Sequence, residues 1–371
     1  TLFSMQAKNK RWKVFFLVVY IGIVFLYLLT CLIPFLDPGT FWFIALLGLG
    51  FPFLLTALLI ALIIAALVRS RWVFLALAAF LLSWQQVTAL FGFHVRKEFQ
   101  LAKSSNSLRV LSWNVSSWTE TTNMDDKVEA VGLRNLMMDA VQMQNADVLC
   151  FQEFFESYAP ELFPANIPAL QKMGFTYYYF TPALTMMNGG LKGGLCVFSK
   201  YPISDTSFHK TDRGNSEGYS TMDINVNGQT IRLFNTHLES PRLTRGEYSP
   251  LDEVEQSRTV GGKIKRAYAF RGKQARELRM AMDTSKYPVI LCGDFNDVPN
   301  SYSYFKIKGN LLDAFLKKGF ALGRTFQFIS PTLRIDYMLV DKRFTIDQFT
   351  KLNYRYSDHY PQVMDVSLPG Q

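Results

Sequence analysis

The chain has 371 residues, 49% hydrophobic and only 19% charged, with a formal net charge of +9. A length over about 150 per domain points to two or three units, and this composition excludes a disordered, collagen-like or disulfide-stapled chain. Residues 1–96 hold seven Lys/Arg against one acid, Asp37, while the remainder holds 32 against 29 acids, so the excess charge is not a nucleic-acid-binding signature spread over a domain.

After a basic tail over 1–13, three uncharged apolar runs follow at about 14–36, 41–68 and 72–93. Each is long enough for the roughly 20 residues that cross a bilayer. Lys8, Lys10, Arg11 and Lys13 precede the first run and Arg69 and Arg71 separate the second from the third, whereas the loop between the first two has no Lys or Arg. The positive-inside rule then places the N-terminus in the cytoplasm. Three crossings put everything after residue 93 on the extracytoplasmic face of the cell membrane. No acid lies inside the runs, which read as an anchor and not as an ion path.

Residues 94–107 read as a linker and 108–371 as one domain. Its short apolar runs predict strands at 108–115, 148–152, 195–199, 219–226, 230–236, 289–293, 335–340 and 362–368. Helices are expected over 127–145, 165–172, 257–282 and 302–308, with another near 312–317, and Gly261, Gly262 and Gly272 are the expected breaks in the third. The pattern is that of an α/β (α+β) two-layer β-sandwich flanked by helices, preceded by an all-α three-helix transmembrane region. Cys31, Cys150, Cys196 and Cys292 match no zinc or disulfide spacing and read as small buried hydrophobes.

The chemistry-bearing residues cluster where the strands end: Ser112-Trp113-Asn114, Phe151-Gln152-Glu153, Asn235-Thr236-His237-Leu238-Glu239, Cys292-Gly293-Asp294-Phe295-Asn296, Ile335-Asp336-Tyr337 and Ser357-Asp358-His359-Tyr360-Pro361. Carboxylates, amides and two imidazoles at one rim suit phosphoryl chemistry with a hard divalent cation. In these six motifs, taken in order, the chain resembles the endonuclease/exonuclease/phosphatase (DNase-I-like) superfamily over 108–368. The resemblance implies Mg²⁺ or Mn²⁺ held by Glu153, with Asn114 and Asp358 at the metal site. It further implies that Asp294 activates water, Asn296 donates to phosphate oxygens, His359 contacts the scissile phosphate with Asp336 fixing its tautomer, and His237 completes the catalytic set. Abasic-site endonucleases of the family carry tyrosine at the His237 position, which argues against that specialisation here.

The 258–279 segment carries eight Lys/Arg and one acid. Either it is a solvated helix face, or Arg258, Lys263 and Arg266 form a basic lip for a polyanionic substrate or lipid headgroups. Tyr177–Phe180 with Met186 and Met187 is either core or an apolar rim. The partners expected are the bilayer and a phosphorylated lipid. A polyprenyl diphosphate is one such lipid, because the architecture also resembles three-span membrane phosphoesterases linked to glycopeptide resistance. An anchored nuclease acting on DNA or RNA is the alternative, and a non-catalytic docking module the third reading.

Overall fold

The computed structural model describes residues 2–94, 98–104, 106–119, 127–210, 217–241 and 259–368. The N-terminal region is helical: α1 (Leu2–Cys31), α2 (Trp42–Ala45), α3 (Leu47–Leu67), α4 (Val73–Leu82) and α5 (Trp84–Leu90). Two stretches, Arg11–Phe35 and Leu47–Leu67, are apolar and long enough to cross a membrane. Tyr27, Phe51, Leu58 and Ala76 pack at their centre, while Phe16, Phe25, Ile60 and Leu82 face outward. An apolar surface on all sides is what a helix in hydrocarbon needs.

The third run is not one continuous helix. α4 and α5 meet at Ser83 with a 63° bend. Ser83 Oγ donates to the Phe80 carbonyl at 2.8 Å and is bonded to the Tyr27 hydroxyl. A serine hydroxyl that competes for the preceding carbonyls, tied to a neighbouring helix, is a recognised cause of helix bending.

From Gly92 the chain runs β1 (Gly92–Phe93), β2 (Ser107–Asn114), α6 (Lys127–Met143), β3 (Val148–Ser157), α7 (Asn166–Lys172), β4 (Tyr177–Met186) and β5 (Leu191–Ser199). Next come β6 (Ile203–Lys210), β7 (Gly218–Val226), β8 (Gln229–His237), α8 (Val260–Asp283), β9 (Val289–Asp294) and α9 (Tyr302–Lys308). The chain closes with β10 (Leu312–Asp313), α10 (Ala314–Lys318), β11 (Phe320–Ala321), β12 (Asp336–Val340), β13 (Thr345–Lys351) and β14 (Gln362–Ser367). Two six-stranded mixed sheets result, ordered β10-β12-β9-β8-β7-β6 and β13-β14-β2-β3-β5-β4. Leu108, Val110, Val148, Ile224, Leu233 and Ile290 fill the space between them. The outer faces are covered by α6 and α7 on one side and by α8 and α9 on the other, each with its own apolar cluster. The expected sandwich is therefore present, and every residue of β2, β3 and β9 but Glu153 is buried, as a strand covered on both faces requires.

Tyr177–Phe180 belongs to β4, an edge strand: Tyr177 and Tyr178 are exposed while Phe180 packs edge-on against Phe154. The 312–317 segment is a two-residue strand and then a short helix. Neither is the linker loose where it is described. Gly92–Phe93 pairs with Phe320–Ala321, and the buried Arg109 guanidinium, bidentate to Asp365 at 2.7 and 2.8 Å, also donates to the Leu101 and Gln100 carbonyls. Cys150, Cys196 and Cys292 are buried free thiols, and Cys31 is half-buried.

The apolar helices dock on the sandwich through a close seam. α8 continues unbroken through Gly272, contrary to the expected break, because that glycine lets Pro38 approach: an added Cβ would lie 2.6 Å from Pro38 Cγ. Gly48 does the same against the Asn300 carbonyl, at 2.3 Å. Arg276 reaches Asp37 at 3.1 Å, and the buried Arg334 donates to the Ala89 carbonyl at 2.7 Å.

Candidate active site

Five strands deliver the site. β2 and β3 run parallel, as do β8 and β9, so Asn114, His237 and Asp294 end their strands at one rim, with Gln152 of mid-β3 in register with Asn114 and His237 with Asp294. β12 runs antiparallel to β9 and starts at the same rim, Asp336 opposite Asp294. The buried amides of Gln152 and Asn235, bonded at 2.6 Å, pin the two sheets together beneath it.

Two local distortions aim the acids. Between Phe151 and Phe154, β3 places two residues opposite one of β5, a bulge in which Glu153 takes φ +50°. Such a bulge re-aims a side chain out of the alternation. Gln152 therefore points between the sheets and Glu153 into the rim. At the end of β9, Gly293 takes φ +150°, and an added Cβ would sit 2.0 Å from the Thr236 carbonyl. Only glycine allows β8 and β9 to come this close beside the site.

Asn114 Nδ2 donates to Glu153 Oε1 at 2.9 Å and to Asp294 Oδ2 at 3.2 Å, and its Oδ1 accepts from the Ser116 amide. Asp294 Oδ1 accepts the Asn296 amide at 2.7 Å, while Asn296 Nδ2 donates to the Leu238 carbonyl. Asp336 holds His359 Nδ1 at 2.9 and 3.1 Å. The Nε2 atoms of His237 and His359 each lie 3.7 Å from Asp294 Oδ2. That is too long for a direct hydrogen bond, so both imidazoles keep Nε2 for an incoming oxygen. Ser357 Oγ bridges the rim by donating to the Asn114 carbonyl and accepting the His359 amide.

The structure thus gathers Asn114, Glu153, His237, Asp294, Asn296, Asp336, Asp358 and His359 at one rim. Asn114 uses its amide to orient two carboxylates, and one Asn296 N–H is spent on Leu238. Lys263 and Arg266 lie on the first turns of α8, the latter over the Phe270 ring, and take no part in these contacts; Arg258 lies outside the described residues. Most of the remaining basic run is committed within the protein. Arg271 is buried against Asp297 at 3.3 Å and Arg279 is paired with Asp283. Sequence reasoning missed Glu217, buried close enough to Glu153 to affect its charge, and the Gln152–Asn235 pin. The amides stood in the strand-end motifs, but Glu217 precedes its strand with no motif to mark it.

A family model described as "Endonuclease/Exonuclease/phosphatase family" matches residues 111–359. The chain belongs to the endonuclease/exonuclease/phosphatase family. A second model, a domain of unknown function (DUF8431), matches residues 13–90. A sphingomyelinase of Dictyostelium discoideum is 24% identical over 244 residues, 60% of this chain and 50% of that protein. The chain thus spans about half the length of this curated relative. Among solved structures, an endonuclease/exonuclease/phosphatase from Beutenbergia cavernae superposes with TM-score 0.51 at 19% identity, covering 71% of this chain and 72% of the other. The human Nocturnin catalytic domain follows at TM-score 0.48 and 18% identity, covering 72% and 96%.

Members of this family are phosphoesterases and nucleases that use a divalent metal, and the donor chemistry here fits one. Burial first, then the neighbouring Asp358 and Glu217, push Glu153 up to about 7 against the Asn114 bond and His359. Burial and Asp336 likewise raise Asp294 to about 6. Carboxylates whose charged forms are disfavoured by burial and crowding are what a hard cation with oxygen ligands relieves. Asp294, Asp336 and His359 also bring ligand atoms within 4.8 Å of one another. His359 Nδ1 is already engaged by Asp336, however, which suits that trio better to holding and moving protons. Burial works against the His359 cation, but Asp336, Asp294 and Asp358 outweigh it and hold its pKa well above the usual imidazole value.

Proposed function

We propose that the protein is a membrane-anchored, divalent-metal-dependent phosphoesterase acting on a lipid-linked phosphate ester or diphosphate at the extracytoplasmic face. In this reading Glu153 and Asp358 hold Mg²⁺ or Mn²⁺, which supplies charge neutralisation at the phosphate. Asp294, raised toward neutrality, takes the proton of an attacking water, and the His359 imidazolium, oriented by Asp336, stabilises the phosphate oxygens. His237 and Asn296 donate from the other flank. Attack is in line, with no covalent intermediate on the protein.

The observation that carries the lipid assignment is the loop over residues 326–333. It starts with Phe326 packed edge-on against the His359 ring, centroids 5.0 Å apart, and reaches Thr332, which shares a crevice with Gly48, Phe51, Pro52 and Leu90 of the apolar helices. Between them Phe328 and Ile329 are 60% and 83% exposed. An apolar path from imidazole to helices suits a substrate arriving from the bilayer. A relative named as a sphingomyelinase is consistent with such a substrate. The catalytic domain docks on the loop after α1 and on α5, opposite Arg69 and Arg71, which supports the orientation read from the positive charges. Arg271, Arg276 and Arg279, all paired internally, supply no basic groove for nucleic acid.

Full-length protein with Mg²⁺ is to be offered polyprenyl diphosphate, phospholipid vesicles and plasmid DNA, with His359→Ala as the control for contaminants. Lipid turnover that vanishes in the variant is expected. DNA turnover without lipid turnover would replace this reading with an anchored nuclease. In the same assay Phe328→Asp with Ile329→Asp should cut lipid turnover about tenfold or more while sparing a water-soluble phosphodiester.

A further inference from the structure

A second cavity lies away from the reacting groups. It measures about 690 Å³ and is lined by Gln85 and Thr88 of α5, by His94, and by the lysines Lys308, Lys317 and Lys342. This volume is in the range of small-ligand sites, roughly 300–1,000 Å³. The lysines come from three separate places: the end of α9, the end of α10, and the turn after β12. Asp313, the acid on the wall, is already occupied, accepting from Arg334 at 2.8 Å and from the Tyr304 hydroxyl at 2.8 Å. The cavity therefore gathers three lysines around one acid that already serves Arg334 and Tyr304. β10, where Asp313 sits, pairs with the far end of β12 from Asp336, so the cavity is distinct from the active site.

Its position relative to the apolar helices specifies the ligand. α4 is wholly apolar, and the chain turns polar at Ser83, Gln85, Gln86 and Thr88 just before it enters the sandwich at Gly92. α5 therefore lies where a membrane-crossing segment leaves hydrocarbon, at headgroup depth, with Gln85 and Thr88 turned to the cavity beside the lysines. Lysines clustered at headgroup depth attract anionic lipid headgroups.

We propose that this cavity binds the phosphate of an anionic phospholipid headgroup, as a docking site separate from the substrate. The proposal rests on the anchored reading given above. Burial disfavours the Lys308 ammonium, Asp313 favours it, and Lys317 and Lys342 both repel it, so a bound phosphate adds negative charge where three lysines share a single acid. Gln85 offers a neutral donor to a glycerol or ester oxygen, and the apolar side of α4 receives the acyl chains.

The test uses the full-length protein reconstituted in phosphatidylcholine vesicles with or without phosphatidylglycerol, followed by mild extraction and native mass spectrometry. A parallel thermal-melting series adds soluble glycerol phosphate. The wild type should retain phosphatidylglycerol selectively and melt higher with it. Lys308→Gln/Lys317→Gln/Lys342→Gln should lose that retention about tenfold or more, with turnover of a soluble phosphodiester unchanged. The single exposed change Lys317→Glu should weaken retention in the same direction and guards against misfolding of the triple variant. Equal retention by wild type and variants overturns the proposal, and so does glycerol phosphate reproducing the whole effect, which would make this a site for free phosphoesters. Reconstitution into neutral vesicles depends on α1 and α3 and not on the lysines. Failure to reconstitute in either lipid therefore overturns the anchored reading and this site together, whereas reconstitution without selective retention overturns the site alone.

Discussion

Glu153 is the residue on which the metal chemistry turns, and its environment makes two outcomes separable. The fold holds its carboxylate in a left-handed bulge position among other acids, at about 7. A metal must displace the proton below that value, so apparent Mg²⁺ affinity should fall by up to about tenfold per pH unit as pH drops below 7 and level off above it, as isothermal titration across pH would record. Glu153→Gln removes the charge and keeps the shape. The melting temperature without metal should stay level or rise, while the rise on adding Mg²⁺ should disappear. Asp336→Asn tests the partner role differently. His359 then loses the carboxylate that favours its charged form, so the alkaline limb of the rate profile should move to lower pH, with turnover reduced about tenfold to a thousandfold. These residues were legible in the sequence because each stands in a short polar motif bordering an apolar run: Glu153 within β3, Asp336 at the start of β12 and His359 just before β14. Their hydrogen-bond assignments were not. That Asn114 orients two acids, and that Asn296 spends a donor on Leu238, depends on contacts across 39 to 180 positions of chain.

Among the elements, the strongest constraint is the contact of β8 with β9. Gly293→Ala forces a Cβ against the Thr236 carbonyl in a backbone region closed to alanine. A loss of more than about 2 kcal/mol in denaturant unfolding is expected, with activity falling further than stability because His237 and Asp294 stand on either side of the shift. The strands read from sequence were the buried ones, whose continuous apolar runs need no partner to be recognised. β4, β6 and β13 escaped because they are edge strands whose residues are nearly all exposed or half-buried. α8 shows the opposite limit. Gly272 looks like a break until Pro38, over 200 residues earlier, is placed against it. Charge counts along this helix are local in the same way, whereas Asp37 and Asp297, which answer Arg276 and Arg271, lie outside the run.

For the whole molecule, the seam between helices and sandwich determines how the two parts communicate. Gly48→Leu should wedge α3 away from Asn300. Turnover of lipid substrate is expected to drop severalfold in vesicles, with a soluble phosphodiester hydrolysed at close to the original rate. Loss of both activities would mean instead that the seam maintains the catalytic rim itself. Asn300 stands six residues beyond Asp294, on the loop that carries Asn296 and Asp297, so α3 bears directly on the segment that leaves the site. Helices in a bilayer thinner or thicker than their apolar length change tilt to compensate. On the anchored reading, any such change rotates Gly48 against that loop. Hydrolysis in vesicles of graded acyl length should therefore peak at one thickness, making the catalytic rate a gauge of the membrane that surrounds the protein.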